Sequence, residues 1–556
     1  MKEKLKVGLL VDSNNITAWQ YKMLERIQMS NYAEISLILE NDNNETRNSF
    51  LNKLTDNFHQ LILLIYSSID FKLFSYTPHA FKTKDFRSLV TSSKRIKIKP
   101  IRGKSIDRFK KSDLEDIKKH DLDVMVRFGF RILKGDILTV AKYGVWSYHH
   151  GDNKFFRGKP AGLWEFLNNV SSTGVILQIL NEKLDNGKLL FKSHTNNNHT
   201  SLNRSRNSNY WKAVSFIPRK LEQLFTLGDK KFFENIELLN SDPNFYSEPL
   251  YTNPKNISLL IRLIIKYSFV LCKKFNDLFY FNQWTLLYRI NKSEKISKNF
   301  FQFKKLNPPK GKFWADPFIV FEGNKYFIFL EEYDDLSKKG HISVIEMSDT
   351  GICKKPTIIL NKEYHLSYPF VIKENGSWFM IPETKSNNSI ELYESSNFPF
   401  EWKFKKNLFT DIRAVDTTIL KKENIFWLFT NIQENKGSTI NDELFLYYSS
   451  DLLTDKWTPH PQNPIVSDVR SARSAGNIFE YNNNLYRPSQ INTPRYGYGL
   501  NINKIIKLDK NNYQEQTIDK IEPNWDKNLI ATHTLNHTKG LTVVDGLFKY
   551  KKVKIF

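Results

Sequence analysis

The stretch WADPFIVFEGNKYFIFLEE, residues 314–332, carries the pattern that decides the fold of the C-terminal half of the chain. Two short segments rich in aromatic and β-branched residues flank a Gly-Asn turn, which is typical of a β-hairpin. Copies of this pattern follow at residues 367–383, 415–431 and 474–490, and a shorter fifth copy occupies residues 532–546. All-strand repeats of roughly 40–60 residues are typical of propellers. The sequence therefore predicts an all-β, five-bladed β-propeller over residues 301–556.

The N-terminal region has a different sequence pattern, in which apolar strands alternate with amphipathic helices. Residues 6–12 (KVGLLVD) and 33–40 (AEISLILE) are apolar runs typical of buried strands. Between them, residues 17–29 (TAWQYKMLERIQM) have the spacing of an amphipathic helix. Alternation of this kind predicts an α/β, Rossmann-like domain with a mostly parallel sheet. We expect this domain to span residues 1–228 and a helical connector to span residues 229–300.

The charge and the cysteine content of the 556-residue chain restrict its partners and its compartment. Lys and Arg together exceed Asp and Glu by 23. This excess favours an anionic partner such as a nucleotide, a phosphorylated sugar or an acidic membrane surface. No nucleic-acid-binding motif accompanies the charge, so nucleic acid is not expected as a partner. The two cysteines, Cys272 and Cys353, exclude a disulfide framework and a cysteine-based zinc site, and they fit a cytoplasmic protein.

One segment, ISLLIRLIIKYSFVLCKKF at residues 257–275, has the character of a membrane-contacting helix. It is long and apolar, but Arg262 and Lys266 interrupt it. A helix that spans a bilayer needs about 20 largely uncharged residues. Two interpretations stay open: a packed linker helix, and an interfacial helix that makes peripheral contact with the inner face of the membrane.

A second set of motifs lies between residues 121 and 190, around VWSYHHGDNKFFRG. His149 follows a strand, Arg157-Gly158 comes eight residues later, Thr173-Gly174-Val175 begins another strand, and Leu184-Asp185-Asn186-Gly187 follows that strand. In order and spacing these elements resemble the formyltransferase family, which includes methionyl-tRNA, glycinamide-ribonucleotide and sugar N-formyltransferases. Ligands of such sheets bind beyond the carboxyl ends of the strands. We therefore expect His149 and Asp185 to meet at one edge of the sheet.

The resemblance implies catalytic roles and a folate-type donor, 10-formyltetrahydrofolate. An amine that attacks a formyl carbonyl passes through a tetrahedral oxyanion, which an imidazole such as His149 can stabilise while it moves the proton. A carboxylate such as Asp185 would orient that ring and favour its charged form. The resemblance also implies that substrate is contacted by four further residues: Gly129, His150, Asp152 and Arg157.

One position of this motif departs from the family. An asparagine two residues before the histidine helps to bind the formyl oxygen in these enzymes, and Ser147 stands in its place here. A hydroxyl can donate one hydrogen bond, but the loss of an oxyanion donor can cost on the order of 100-fold in rate. Two interpretations follow. The domain transfers a formyl or another acyl group with Ser147 in the catalytic set, or it has lost this chemistry and serves as a scaffold.

The propeller repeats resemble the five-bladed family-43 glycosidases and, more closely, the propeller module of the glucosamine inositolphosphorylceramide transferases. The resemblance rests on ADPF (315–318), SYPF (367–370), VDTT (415–418), RSAG (473–476) and YRPSQ (486–490). It implies that residues at the blade starts converge in a central funnel. There Asp316 would act as a base and Asp416 would tune its partner, while the acid is not assigned. The expected funnel residues are Asp316, Glu331, Glu383, Asp416, Arg473 and His533.

Together these features predict an enzyme of surface-polysaccharide biosynthesis. Its first domain would transfer a formyl or similar group to an amino sugar carried on a nucleotide or a lipid, and its propeller would bind the glycan. Two alternatives stay open: a carbohydrate-active propeller that catalyses glycosyl transfer or hydrolysis beside a degenerate first domain, and a non-catalytic glycan-binding protein. The adjacent His149 and His150 point to opposite faces of a strand, and no HExxH motif is present, so no metal is expected.

Overall fold

The computed structural model describes residues 2–43, 60–183, 186–241, 250–291, 296–297 and 299–552. The chain divides into two compact units. The first comprises Met1–Val270 with Glu434–Thr439, and the second comprises Leu271–Gln433 with Ile440–Phe556. Each unit has its own hydrophobic core. Within the described ranges, no helix combines the length and the apolar content that a membrane crossing requires.

The strands of the first unit build one large sheet and two small ones. In chain order the described strands are β1 (Leu5–Val11), β2 (Asn15–Thr17), β3 (Ala33–Asn41), β4 (Thr83–Asp85), β5 (Lys94–Ile98), β6 (Ile101–Arg102), β7 (Ile106–Arg108), β8 (Val124–Arg127), β9 (Ile132–Leu133), β10 (Val145–His149), β11 (Ser172–Ile179) and β12 (Lys188–Asn196). The large sheet has the order β12-β11-β10-β8-β1-β3-β5. Strands β5, β3, β1, β8 and β10 run parallel, whereas β11 and β12 are added antiparallel at one edge. The predicted α/β domain with a mostly parallel sheet is confirmed.

Helices cover the faces of this sheet. In chain order the described helices are α1 (Ala18–Gln28), α2 (Leu61–Phe74), α3 (Lys111–Lys118), α4 (Leu163–Leu167), α5 (Leu202–Ala213), α6 (Phe216–Leu227), α7 (Asp229–Leu239) and α8 (Asn256–Asp277). Short 3₁₀ turns lie at Arg87–Leu89 and Asp136–Thr139 in the first unit and at Phe300–Gln302 and Lys385–Asn387 in the second. Helix α1 shows why the helices form. Trp19, Met23 and Ile27 are spaced by four residues, so they share the face that the core buries. Thr17 and Gln20 form a capping box that satisfies backbone groups at its start.

The second unit consists of antiparallel sheets. In chain order the described strands are β13 (Tyr280–Ile290), β14 (Lys304–Leu306), β15 (Lys312–Glu322), β16 (Lys325–Asp334), β17 (Lys339–Ser348), β18 (Thr357–Leu360), β19 (Ser367–Glu374), β20 (Ser377–Glu383), β21 (Ile390–Asn397), β22 (Glu401–Phe409), β23 (Ala414–Lys422), β24 (Ile425–Ile432), β25 (Glu443–Ser449), β26 (Thr458–Pro459), β27 (Val466–Ser467), β28 (Phe479–Tyr481), β29 (Asn484–Ile491), β30 (Gly499–Leu508), β31 (Tyr513–Ile521), β32 (Leu529–Ala531), β33 (Leu535–Thr538) and β34 (Leu541–Lys551). Four sheets follow the chain: β15 to β18, β19 to β22, β23 to β26 with β27 on β25, and β28 to β31. The fifth has the order β14-β13-β34-β32, with β33 on β34. Over the described residues these five sheets correspond to the five sequence repeats, and the predicted propeller is confirmed.

One strand of the fifth sheet comes from the segment that the sequence predicted to be a helical connector. Strand β13 lies inside residues 229–300, which the sequence assigned to a helical connector, yet each of its residues pairs with β34 near the far end of the chain. Sequence periodicity reports on a local window, and a pairing between such distant segments leaves no local signal. Besides α7 and α8, the interval therefore supplies a strand of the propeller.

Candidate functional site

Three of the repeats place a strained residue at the same point of their first strands. The ladders of β15, β19 and β23 are each interrupted there. The φ angle is 50° at Asp316, 45° at Tyr368 and 52° at Asp416, and Gly476 with φ 128° occupies that point in the fourth repeat. Non-glycine residues seldom adopt positive φ, and backbone strain of this kind clusters at binding and catalytic sites. The backbone therefore marks the repeat starts as the candidate site.

An arginine holds the carboxylate of the third repeat. The Nε atom of Arg473 donates to Oδ2 of Asp416 at 2.5 Å, and its Nη2 donates to Oδ1 at 3.0 Å. Gln490 donates a third hydrogen bond to the same carboxylate at 2.9 Å. Asp416 is 1% exposed and Arg473 is 7% exposed. Burial raises the pKa of Asp416, while Arg473 opposes that shift. The bidentate contact fixes the orientation of this carboxylate.

A histidine links two further carboxylates. The Nδ1 atom of His533 lies 2.5 Å from Oδ2 of Asp545, and its Nε2 lies 3.7 Å from Oδ1 of Asp316. The ring stacks on Trp284 at a centroid distance of 4.3 Å. Burial disfavours the charged imidazole, but Asp545 and Asp316 outweigh burial and raise the pKa of His533 to about 9. At neutral pH this residue is therefore an imidazolium.

Two carboxyl groups of the first repeat retain protons more readily than ordinary carboxyls. Asp316 accepts a hydrogen bond from Oγ1 of Thr534 at 2.7 Å, and burial raises the pKa of Asp316 to about 6. Glu331 lies 3.3 Å from Nε2 of His365. Burial, together with the negative charges of Asp316 and Glu383, raises the pKa of Glu331 well above its ordinary value. Glu331 thus retains a proton more readily than an ordinary carboxyl, which is what a general acid requires.

The remaining contacts connect these buried groups to an exposed aromatic residue, Tyr496. Glu383 lies 3.1 Å from Nζ of Lys385 and 3.5 Å from Nη2 of Arg473. The ring of Tyr496 lies 4.9 Å from the Arg473 guanidinium, and the Tyr496 residue is 44% exposed. An exposed aromatic ring beside buried charges offers a face on which an apolar ring surface can stack. The site therefore combines a charged interior with an aromatic rim.

The same group has a geometry that can hold a cation. Asp316, His533 and Asp545 each place one ligand atom within 4.8 Å of the others. A metal requires a neutral imidazole, whereas the pKa of His533 is raised to about 9. A bound cation would displace that proton, so the absence of a metal expected from the sequence stays a prediction.

The structure brings together the six residues predicted for the funnel. Sequence reasoning missed three others that complete the site: Asp545, Trp284 and Tyr496. Asp545 belongs to the shortened fifth repeat, so comparison with the carboxylates of the other repeats could have found it. Trp284 lies on β13, inside the predicted connector, and no pattern distinguishes Tyr496.

In the first unit, two of the predicted catalytic residues, Ser147 and His149, lie on β10. His149 ends β10, and its Nε2 lies 3.3 Å from the carbonyl oxygen of Phe156. Ser147 is 2% exposed, and Nη1 of Arg127 donates to its hydroxyl at 3.3 Å. Asp185 lies outside the described residues, so the predicted meeting of His149 and Asp185 stays a prediction.

His150 belongs to an aromatic cluster. Its ring stacks on Tyr210 at a centroid distance of 3.5 Å and on Tyr148 at 5.8 Å, and it meets the edge of Trp19 at 5.5 Å. Burial lowers the pKa of His150 to about 3. A neutral, stacked imidazole of this kind supports packing, and the substrate contact expected from the sequence stays a prediction.

Of the other predicted substrate contacts, Asp152 and Arg157 hold the loop after β10, whereas Gly129 follows β8. Asp152 is bonded to Nζ of Lys192 at 2.7 Å and to Nε2 of His194 at 3.0 Å. Burial alone would raise the pKa of Asp152, but these bonds lower it below the ordinary value. The Arg157 carbonyl accepts a hydrogen bond from the Tyr251 amide at 2.9 Å. A Cβ on Gly129 would stand 2.4 Å from the amide nitrogen of Asp12, so Gly129 is required for close backbone packing.

Comparison with known proteins locates one family similarity in the second unit. Residues 304–538 match the family model described as glucosamine inositolphosphorylceramide transferase 1, N-terminal. The glucosamine inositolphosphorylceramide transferase 1 of Arabidopsis thaliana is 36% identical over 206 residues, which cover 36% of this chain and 27% of that protein. A thermostable family-43 glycoside hydrolase is similar at a TM-score of 0.31 with 14% identity, over 38% of this chain and 76% of the hydrolase.

A second similarity is to a formyltransferase. The methionyl-tRNA formyltransferase of Prochlorococcus marinus is 34% identical over 85 residues, which cover 15% of this chain and 25% of that protein. The chain thus spans about a quarter of the length of these two curated relatives. Over residues 304–538, the chain is similar to the N-terminal domain of the glucosamine inositolphosphorylceramide transferases.

Proposed function

We propose that the propeller funnel is the active site of a carbohydrate-active enzyme that transfers or hydrolyses a glycosidic bond in an amino-sugar glycan or glycolipid. The observation that carries the proposal is the pairing of opposed carboxyl environments. Burial and the neighbouring negative charges raise the pKa of Glu331, which favours its protonated form, whereas Asp416 is paired with Arg473. Glycosidic chemistry uses a protonated carboxyl as acid and an ionised carboxylate as its partner.

The roles of the individual groups follow from these environments. Glu331 donates a proton to the departing oxygen. Asp316, whose pKa is raised to about 6, is ionised at neutral pH and accepts a proton from the attacking hydroxyl, as its resemblance to the family-43 base implies. Asp416 and Arg473 neutralise each other's charge inside the funnel. The amino sugar and the lipid-linked acceptor are suggested by the name of the plant relatives.

Two arginines with different surroundings provide a matched test. Arg473 faces the funnel, while the equally buried Arg487 pairs with Glu515 at 2.7 Å inside the fourth sheet. The full chain would be titrated with glucosamine, N-acetylglucosamine, myo-inositol and UDP-N-acetylglucosamine by calorimetry, and turnover would be followed by mass spectrometry. We expect Arg473→Lys and Asp316→Asn to abolish binding or turnover. Arg487→Lys should lower stability only. Equal turnover by wild type and by Asp316→Asn would refute the proposal.

A second function is favoured by the position of His149. It ends a parallel strand of the sheet, at the edge where ligands of α/β domains bind, and part of the chain is 34% identical to a formyltransferase. We propose that the first unit transfers a formyl or similar acyl group from 10-formyltetrahydrofolate to the nitrogen of an amino sugar. In this step the amine nitrogen would bond to the formyl carbon as the bond from that carbon to N10 of the folate breaks. His149 would take the proton from the amine and deliver it to N10, so that tetrahydrofolate leaves.

The test of acyl transfer uses neighbouring histidines. Full-length protein would be incubated with 10-formyltetrahydrofolate and a UDP-linked amino sugar, and the product would be identified by its added formyl group. His149→Ala should abolish transfer, whereas His150→Phe, which keeps an aromatic ring in the cluster, should retain it. Equal activity of wild type and His149→Ala would exclude this function.

A membrane surface is the partner that we propose for helix α8. Leu259 and Leu263 pack inward, whereas Ile257, Ile261 and Ile264 are 75%, 52% and 58% exposed. An amphipathic helix with apolar residues outward and flanking cations binds anionic bilayers peripherally. We propose that the protein contacts the cytoplasmic face of the membrane in this way.

Vesicle sedimentation tests the contact. We expect the protein to sediment with anionic vesicles and to stay in solution with phosphatidylcholine vesicles. Ile257→Ser should weaken binding, whereas Leu238→Ser, at a position 73% exposed on α7, should not. Equal loss in both variants, or no loss in either, would contradict the assignment of the contact to α8.

A further inference from the structure

A cavity of about 740 Å³ in the first unit has no role in the functions above. Its walls come from α2, from the segment that follows it, from Ala161 and from α5. The residues that carry the argument are Asp70, Phe71, His79, Lys82, Arg206 and Tyr210. The volume lies in the range of small-molecule sites, which is about 300–1,000 Å³.

Arg206 is the polar group that defines this cavity. Its Nε donates to the carbonyl oxygen of Ala161 at 2.8 Å. Among the described residues, the two terminal nitrogens of its guanidinium make no hydrogen bond and no carboxylate lies within 4 Å of it. Burial lowers the pKa of Arg206 and outweighs the opposing effect of the nearby tyrosines and of the more distant carboxylates Glu165 and Asp70. A guanidinium in this state favours a bidentate anion such as phosphate.

Two further nitrogens line the same space. Nε2 of His79 is inaccessible and has no hydrogen-bond partner among the described residues. Its ring is held by Phe71 and Phe81, at centroid distances of 4.8 and 5.8 Å. Lys82 is exposed at the rim, and its Nζ makes no ion pair with a described residue. The nitrogens outnumber the one carboxylate of the lining, Asp70, so the cavity favours an anion.

The remaining residues that line the cavity are suited to an organic group attached to the anion. Phe71, Phe81 and Tyr210 present aromatic rings, and Tyr210 is held rigidly by its stack on His150 at 3.5 Å. Asp70 is 2% exposed and accepts from the amide of Asn203 at 2.6 Å. It can also accept from a ligand hydroxyl. Aromatic faces and one acceptor fit a ring that carries hydroxyl groups.

We propose that this cavity binds an organic phosphate, with its phosphoryl group on Arg206 and Lys82 and its hydroxyl-bearing ring against Tyr210 and the two phenylalanines. A soluble sugar phosphate, a nucleotide and the headgroup of a phosphoinositide lipid share this chemistry. The site goes beyond the funnel and beyond His149, neither of which lines the cavity.

Calorimetric titration of the full chain distinguishes between the possible sources of the organic phosphate. The probes are inorganic phosphate, glucosamine 6-phosphate, uridine monophosphate, and vesicles with phosphatidylinositol against vesicles of phosphatidylcholine alone. We expect one organic phosphate to bind about tenfold or more tightly than inorganic phosphate. Binding by a soluble probe identifies a free metabolite, and preference for phosphatidylinositol vesicles identifies a lipid headgroup. The proposal is overturned if no organic probe binds more tightly than inorganic phosphate.

Variants on one helix provide the control. Arg206→Lys replaces the planar guanidinium, which can donate two parallel hydrogen bonds to a phosphate, with a single ammonium group. This variant should bind the organic phosphate about tenfold more weakly. Arg204→Lys, at an exposed position over the ring of Phe74, should change nothing. Because Arg206 also bonds Ala161, Lys82→Gln at the exposed rim serves as a second variant and should weaken binding several-fold without loss of fold. Equal effects of Arg204→Lys and Arg206→Lys, or unchanged affinity in Lys82→Gln, would overturn the site. Asp416→Asn should leave this affinity intact, which separates the cavity from the funnel.

Discussion

At the scale of single residues, charge compensation dominates the funnel. Asp416 and Arg473 are almost completely removed from water and are bonded through two hydrogen bonds. Removing one partner of such a pair leaves the other as an uncompensated buried charge, which costs about 3–5 kcal/mol.

Asp416→Asn removes the bidentate partner of Arg473 and leaves Glu383, at 3.5 Å, as its remaining carboxylate contact. Asparagine tolerates the positive φ of this position, so backbone strain changes little. We expect the free energy of unfolding, measured in urea, to fall by about 3–5 kcal/mol. Asp411→Asn is the matched control, because Asp411 also has a positive φ, of 54°, but is exposed. It should change stability by less than about 0.5 kcal/mol. Equal effects would mean that the Arg473 pair is not the cause.

His533 gives the funnel a pH dependence. Its pKa is about 9 in the folded state and 6.5 in the reference state. The folded protein therefore binds the proton more tightly. The resulting stabilisation is fully present below pH 6.5, and it is lost as the pH rises through 9. Nitrogen-15 NMR of labelled histidine should show a ring protonated above pH 8, with the signal missing in His533→Gln. A signal that titrates near 6.5 would contradict the contacts with Asp545 and Asp316.

At the scale of elements, the strained repeat starts also join the sheets. The hydroxyl of Tyr368, on β19, accepts from the amide of Gly476 at 2.8 Å and lies 2.9 Å from Oγ1 of Thr418 on β23. One hydroxyl thus connects the starts of three repeats. The starts of these three repeats therefore share a sequence pattern and are also joined by hydrogen bonds between their sheets.

Tyr368→Phe tests this connection. It leaves the buried Gly476 amide without its acceptor, and we expect a loss of about 1–3 kcal/mol in the free energy of unfolding. Tyr481→Phe, at a position 37% exposed, should change stability by less than about 0.5 kcal/mol. Chemical denaturation of both variants provides the measurement. A negligible effect of Tyr368→Phe would show that the hydroxyl does not stabilise the joined sheets.

At the scale of the whole molecule, closure of the propeller depends on β13. All residues of Tyr280–Ile290 pair with Leu541–Lys551, so the first and last strands of the second unit complete one sheet. Closure removes open sheet edges, which otherwise promote aggregation. The boundary at residue 301 expected from the sequence would leave β34 without this partner.

Two fragments test the requirement for β13. A fragment of residues 279–556 retains β13 and should unfold in one cooperative thermal transition. A fragment of residues 301–556 lacks it and should aggregate or unfold over a broad range, because an edge of β34 is exposed. Circular dichroism and gel filtration report both properties. Equal cooperativity in the two fragments would show that closure by β13 is dispensable.

The sequence by itself determined the α/β class of the first unit, the five repeats of the second, and the aspartates at the starts of the first and third repeats. These features follow from local periodicity and from repetition, which a linear reading detects. Only the tertiary structure decided that β13 closes the propeller, that Asp545 and Trp284 complete the funnel around His533, and that His150 is stacked in an aromatic cluster. Distant segments meet there, and the burial and neighbouring charges that set the state of each group exist only once those segments are packed together.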